Sequence, residues 1–416
     1  MFVLPLVALS LLTGCTPTAL SLGDGRARPP KGGSDTDIEV LEGLDPADTG
    51  DTPEPDDDTR IFSLDAVHVV AVTLGDAGRR ALGSDPYTYV PADLTFDGEA
   101  FPNVGVRVKG RLGSYRSLDQ KAGLKVDLLE FGGGARLEGL EKFNLNNMVQ
   151  DCAKTHEYAA YGVHRMLGVP APRVAYAVVT VDGEPFGLYS LVEDYDDTFL
   201  GKNFVDPSGN LYDGDYYLYP DGNYALVDFN DATQGYFGLD EGTDVALADV
   251  HAVTDAVNAG ATFADTLGDL VDLEQHAAFV AATAWTGHSD SYAYYSNNYR
   301  VYFDPARGGR AVFMPWDPDW AFEASTAVTS FYGSVSARCY ADATCTAAVH
   351  ADLDTLDATL PGSALVAELQ TAADLIRPHL ADDPRLETPM PQVRACQADL
   401  SSWFERRGAE LDAVGL

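Results

Sequence analysis

Positive charge is scarce in this chain: 27 Lys and Arg stand against 64 Asp and Glu, a formal net charge of −37 over 416 residues. That balance works against nonspecific binding to nucleic acid, and any site for an anionic ligand must gather its own Lys and Arg against the background field. Long apolar runs are missing too. Beyond the first fifteen residues none approaches the roughly 20 residues that span a bilayer as a helix. Cysteine is limited to five residues, which lack the paired Cys or His spacing of a zinc site. No Asp-x-Asp-x-Asp-Gly loop ending on Glu occurs. A Ca²⁺-binding adhesion protein, suggested by the acidic stretches 35–58 and 206–244, is therefore the weakest reading. No internal repeat is visible. What remains, 46% hydrophobic and 10% aromatic residues, describes a globular protein with length for two or three domains.

The N-terminus departs from that average. Residues 1–14, MFVLPLVALSLLTG, are apolar and lead to Cys15. They are too short for a membrane span and match a secretory h-region, although no Lys or Arg precedes them. The tetrad Leu12-Thr13-Gly14-Cys15 resembles a bacterial lipobox. It implies lipidation of Cys15 and an exported, membrane-anchored lipoprotein of the cell envelope, facing the periplasm or the outside. Residues 16–60 are rich in Pro, Gly, Asp and Thr, with eleven acids and no Lys or Arg between Asp35 and Asp58. Such a segment buries too little apolar surface to fold and repels itself, so it reads as a disordered acidic tether. Export permits disulfides. Cys339 and Cys345 flank the short loop CYADATC and are the expected pair; Cys152 and Cys396 are either buried thiols or a second bridge.

Period-two alternation marks strands at 65–74, 87–96 and 101–110, where Val104, Val106 and Val108 alternate with Gly105, Arg107 and Lys109. The turn Gly110-Arg111-Leu112-Gly113-Ser114 and a strand over 122–129 complete a hairpin carrying Lys109, Lys121 and Lys125. Gly-containing tips let backbone N–H groups approach phosphate closely, and the same pattern fits a plain surface hairpin with solvated lysines. A short strand follows at 141–147, then a helix over 154–167. Its Glu157 can face a lysine of the neighbouring sheet or simply complement the helix dipole. Strands over 172–181 and 185–192 meet at Asp182-Gly183, a two-residue hairpin signal. Residues 201–249 read as an irregular insertion or an acidic lid, and 245–286 as two helices. The tail, 340–416, reads as largely helical, packed through Trp403, Phe404 and Leu411.

Between these lies WTGHSDSYAYYSNNYRVYFDPARGGRAVFMPWDPDWAF, residues 285–322. It reads as a helix end, a polar turn, a strand, a Gly hairpin, a second strand and an acidic turn. Asp290 and Asp317 border the strands, with Asn297 and Asn298 between them. Such oxygen donors suit a hard cation holding a polyphosphate, and they are also ordinary turn residues.

The order of these pieces resembles the spore coat protein H (CotH) kinase family. The matching segments are VGVRVKG with its Gly/Ser turn and lysine-bearing strand, NLNNMVQD, MLGVPAPR, DGEPFGLYSLVEDYD, NNYRVYFD and FMPWDPDWAF, over roughly residues 61–330. The resemblance implies an α+β chain with an atypical, strongly divergent protein-kinase-like two-lobed fold, its N-terminal sheet mostly antiparallel and its C-terminal part helical. The core would span 61–335 and a helical extension 336–416. The implied activity is ATP- and Mg²⁺-dependent (or Mn²⁺-dependent) phosphorylation of Ser or Thr on exported proteins, by a monomer that binds no nucleic acid. Asp290 falls at the family's catalytic aspartate, Asp317 at its metal-binding aspartate, and Asn298 at a second metal ligand. Lys121 and Lys125 are candidates for the phosphate lysine, the family's Lys-Lys pair being Gln120-Lys121 here. Arg107, Lys109 and Ser114 would line the phosphates, Glu157 would pair with the phosphate lysine, and Glu193 would lie where the chain passes between lobes. The substitution at Gln120 keeps an alternative open: an inactive surface lipoprotein acting as a binding or scaffold module.

Overall fold

Seven strands use the alternating valines to line a closed barrel. They are β1 (His68–Thr73), β2 (Val90–Phe96), β3 (Glu99–Lys109), β4 (Gly123–Asp127), β5 (Lys142–Asn146), β6 (Val174–Val181) and β7 (Glu184–Glu193). Their order is β1-β2-β3-β4-β5-β7-β6, returning to β1. The computed structural model describes residues 60–214, 216–219, 221–322 and 331–413, all within the unit spanning 51–416. The expected signal segment, the lipidation at Cys15 and the tether up to residue 59 lie outside the described residues.

Within the barrel, Val104, Val106 and Val108 of β3 share one buried cluster with Leu124 and Val126 of β4 and with Ala177 and Val179 of β6. One helix, α1 (Gly75–Ser84), links β1 to β2. The hairpin expected at Asp182-Gly183 forms, both residues having positive φ (52° and 79°), which gives the tight turn the twist of its flanking strands. Neighbouring strands are antiparallel except β1 and β6, which run parallel with His68 opposite Ala177 and Val72 opposite Val181.

That last pairing corrects the expected architecture. The chain is α+β, but its first sheet is a closed seven-stranded barrel and not the N-terminal sheet of a two-lobed kinase-like fold. Alternation specifies one buried face per strand, and it reads alike in an open sheet and in a barrel. Closure depends on a pairing across more than a hundred residues, which no local period records.

Outside the barrel the chain builds α2 (His156–Met166), α3 (Asp197–Asn203), β8 (Asn210–Asp213), β9 (Tyr217–Leu218), β10 (Tyr224–Ala225) and β11 (Gly238–Glu241). It continues with α4 (Ala248–Ala259), α5 (Thr266–Leu270), α6 (Leu273–Thr286), α7 (Tyr292–Tyr295), β12 (Tyr299–Asp304) and β13 (Arg310–Pro315). The tail forms α8 (Ser334–Ala341), α9 (Ala343–Thr359), α10 (Ala364–Ala381) and α11 (Met390–Asp412). Strands β11, β8, β12 and β13 form an antiparallel sheet in that order, so the presumed irregular insertion supplies two of its strands. Helix α6 is buried from Gln275 to Thr286 on every side, as befits a helix apolar all round. It starts on Asp272, whose carboxylate accepts the Gln275 N–H. It ends against α11, where Arg407 donates to the carbonyls of Ala284 (2.6 Å) and Trp285 (3.1 Å), and Trp403 Nε1 donates to Trp285 (3.0 Å). The tail thereby satisfies the Trp285 carbonyl and adds a donor to that of Ala284, which also accepts the Gly287 N–H, immediately before the turn that carries Asp290.

Two disulfides staple these parts. Cys339 is bonded to Cys345 between α8 and α9, and Cys152, ahead of α2, is bonded to Cys396 of α11. Among the described residues no helix is long and apolar enough to cross a membrane.

Candidate active site

A cavity of about 580 Å³ opens between the rim of the barrel and the second sheet. Residues from β3 and the following turn (Arg107, Lys109, Ser114) line one wall; Asp290, Asn298, Asp317 and Asp319 line the other. The barrel wall follows from strand alternation. With Val106 and Val108 facing inward, Arg107 and Lys109 must face out, and on β5 the inward Phe143 and Leu145 turn Asn144 and Asn146 outward in the same way.

Lys109 is the cation at the centre. Its Nζ donates to Asn146 Oδ1, lies 3.9 Å from Asp317 Oδ1 and sits 5.1 Å from the centroid of the Trp316 ring. Asn146 in turn donates to Glu157 Oε1 at 2.5 Å, and Ser190 Oγ donates to Glu157 Oε2 at 2.5 Å. Glu157 therefore reaches Lys109 through Asn146, in place of the direct pairing with a phosphate lysine, Lys121 or Lys125, that the resemblance implied. Burial, then the nearby Asp317 charge, push the Glu157 carboxyl up to about 7, against the pull of Lys109.

The opposite wall is built from turns. Asp290 accepts from Asn298 Nδ2 at 2.9 Å and from Asn297 Nδ2 at 3.2 Å. Burial chiefly, with the Asp317 charge in addition, raises its carboxyl to about 6 even though both amides favour the ionised form. Asp317 follows β13 in the left-handed region (φ 45°), uncommon for a residue with a Cβ. It is held there by its N–H donating to Tyr161 OH at 3.1 Å. Asp319, which also lines the cleft, lies well above the ordinary carboxylate range because of burial and then the charges of Asp317 and Glu157.

Other expected residues are placed differently. Lys125 lines the cleft but is ion-paired with Asp194. Burial disfavours its charge, and the charge of Asp194 together with Tyr89 and Asp240 more than offsets that, holding it above its usual value. Lys121 is outside the cleft lining, 3% exposed and bonded to Asp383 at 2.5 Å. Glu193 is also outside it, occupied by Arg173 at 2.5 Å. By contrast Arg107 and Arg111 both line the cleft without a carboxylate partner among the described residues. Their guanidinium carbons lie near aromatic rings instead, Arg107 5.4 Å from Tyr89 and Arg111 4.9 Å from Tyr87.

Sequence reading missed Asp319, Asn146 and Trp316. For two of them a signal existed. Asp317-Pro318-Asp319 places two acids two residues apart in one turn, and FNLN is a strand whose polar positions share a face.

The donor set fits a hard divalent cation. Asp317, Asp319, Asp290 and Glu157 each offer carboxylate oxygens; burial first, and the neighbouring carboxylate charges second, raise three of them, and a bound cation would relieve the second part. Among the described residues the buried Asn297 Oδ1 has no hydrogen-bond partner. Among the described residues no three His, Cys, Asp or Glu side chains form a metal cage alone. Mg²⁺ is usually held by one or two carboxylates completed by substrate phosphate and water.

A search of curated proteins returns no match. The family described as "CotH kinase protein" matches residues 106–372, which is 267 of the 416 residues and runs from the cleft strand β3 through both aspartate turns into α10. With well over half of the chain matched, and both walls of the cleft inside the match, this protein belongs to the CotH kinase family.

Proposed function

We propose that this chain transfers the γ-phosphoryl group of ATP to a Ser or Thr hydroxyl of an exported or envelope protein. One observation carries the reading: Lys109, Asp290 with Asn298, and the Asp317–Asp319 pair converge on a single cleft in an otherwise strongly acidic chain. Phosphoryl transfer asks for little covalent help, only in-line positioning and cancellation of charge on the phosphates. Lys109, with Arg107 and Arg111 behind it, supplies positive charge to the polyphosphate. Asp317 and Asp319, with Asn298, would hold Mg²⁺ or Mn²⁺, which when bound offsets phosphate charge. Asp290 orients the acceptor hydroxyl and takes its proton as the oxygen bonds to Pγ and the bond from Pγ to the β–γ bridging oxygen breaks. A carboxyl poised near 6 is ionised at neutral pH yet basic enough for that role. Export, with anchoring at Cys15, is part of the proposal; the lipobox-like tetrad and the two disulfides, which persist in oxidising compartments, support it.

Thermal unfolding of the full-length chain with and without Mg-ATP tests the site. A ligand at a hundred times its Kd adds about 2.7 kcal/mol to stability. Wild type should gain, Asp317→Ala should not, and Asp290→Ala should gain while failing to label any acceptor with γ-phosphate. Wild type unchanged at millimolar Mg-ATP would sink the reading.

A further inference from the structure

The turn that lines the cleft is held from outside the family match. That match stops at residue 372, whereas the link between α10 and α11 grips the loop 116–121, the distal half of the turn whose proximal half, 110–114, faces the cavity. Asp383 accepts from Lys121 Nζ at 2.5 Å and from the Leu188 N–H at 3.0 Å, with both charged side chains buried. The backbone leaves room for it: a Cβ on Gly187 would lie 2.0 Å from Asp383 Oδ1. Arg385 donates to the carbonyls of Leu118 (3.2 Å) and Gln120, with its guanidinium 3.7 Å from the Phe186 ring centroid. Glu387 takes Arg116 through two bonds of 2.6 Å.

Arg116 is the link to the cleft. While bound to Glu387 it donates to the carbonyls of Gly113 (3.0 Å) and Tyr115 (2.8 Å). Asn147 Nδ2 ties the same loop together, donating to Ser114 O at 2.9 Å and Lys121 O at 2.8 Å. For adhesion alone, apolar residues of similar volume would serve at least as well as the buried Lys121–Asp383 pair, since desolvation cancels much of the attraction between buried charges. What directional bonds to Lys121, Arg116 and two loop carbonyls add is a fixed position for the loop.

We propose that residues 383–387 form a strap that positions the 110–114 turn, so that the tail of the chain sets the cleft's affinity for its anionic ligand. The proposal rests on the nucleotide reading above. Glu387 is a positioning residue, and its pair with Arg116 is exposed enough (side chains 40% and 22%) that breaking it should cost the fold little. In the full-length chain, Glu387→Ala should raise the Kd for Mg-ATP about tenfold and leave kcat at saturation within twofold. Amide exchange at residues 112–116 should accelerate. Arg377→Ala, which breaks a pair within α10 that does not touch the loop, should leave Kd and exchange unchanged. If wild type binds Mg-ATP and Glu387→Ala binds within twofold of it, the strap is overturned and the nucleotide reading stands. Unchanged exchange in Glu387→Ala overturns the strap as well. If wild type does not bind Mg-ATP, both fall together.

Discussion

Replacing Asp290 by Asn should make the protein more stable while abolishing phosphoryl transfer. Burial and the Asp317 charge raise the Asp290 carboxyl from an ordinary 3.8 to about 6 in the folded chain. Because the folded value lies above the unfolded one, ionising Asp290 costs the folded state. The penalty is absent well below pH 4, grows between pH 4 and 6, and is full above that. Linkage puts it at about 3 kcal/mol at pH 7, about 1.6 at pH 5 and about 0.6 at pH 4. The neutral amide removes this cost and keeps one oxygen to accept from Asn297 or Asn298. With an unfolding entropy of roughly 0.7 kcal/mol/K for the roughly 350 described residues, the gain at pH 7 is a rise in Tm of about 4 °C. The assay is thermal unfolding in EDTA at pH 7, 5 and 4, beside phosphoryl transfer at pH 7. A variant no more stable than wild type at pH 7, or one whose advantage persists undiminished at pH 4, would refute the account of Asp290 as a desolvated, repelled carboxylate.

Transfer should show an acid limb near pH 6, since Asp290 must be ionised to accept the hydroxyl proton; a pH–kcat profile flat down to pH 5 would remove it from that role. Lys109→Met should raise KM for ATP roughly 10- to 150-fold, the effect of losing a charged hydrogen bond worth about 1.5–3 kcal/mol, as initial rates over a range of ATP would show. Cys152→Ser should lower stability by about 3–5 kcal/mol, because the bridge to Cys396 closes a loop spanning 244 residues; urea unfolding with and without reductant would read the loss.

Much of the cleft was legible in the sequence, and the reason is local. Asp290, Asn298 and Asp317 lie within 28 residues of one another, on turns flanking a hairpin whose alternation is plain. Lys109 follows from the same valine register that marks β3. The lysines were harder to rank. Lys121, Lys125 and Lys109 look alike on a hairpin, and what separates them is which carboxylate each one meets: Asp383 for Lys121, Asp194 for Lys125, Asp317 at the longer distance of 3.9 Å for Lys109. Two of those partners lie in segments far along the chain. Glu193 was misplaced for a related reason, since its role was assigned relative to a lobe boundary that the barrel does not have.

By itself the sequence determined which residues alternate, where turns interrupt them, that the two ends of the central hairpin are acidic, and that positive charge is scarce. These are properties of neighbours along the chain, fixed by side-chain period and turn chemistry. The tertiary structure alone decided that the strands close into a barrel, that Cys152 meets Cys396, that Arg407 caps the helix ahead of Asp290, and that Asp383 withdraws Lys121 from the cleft. Each of these joins residues more than a hundred positions apart, and such contacts are chosen by the packing of the whole molecule, which no local pattern encodes.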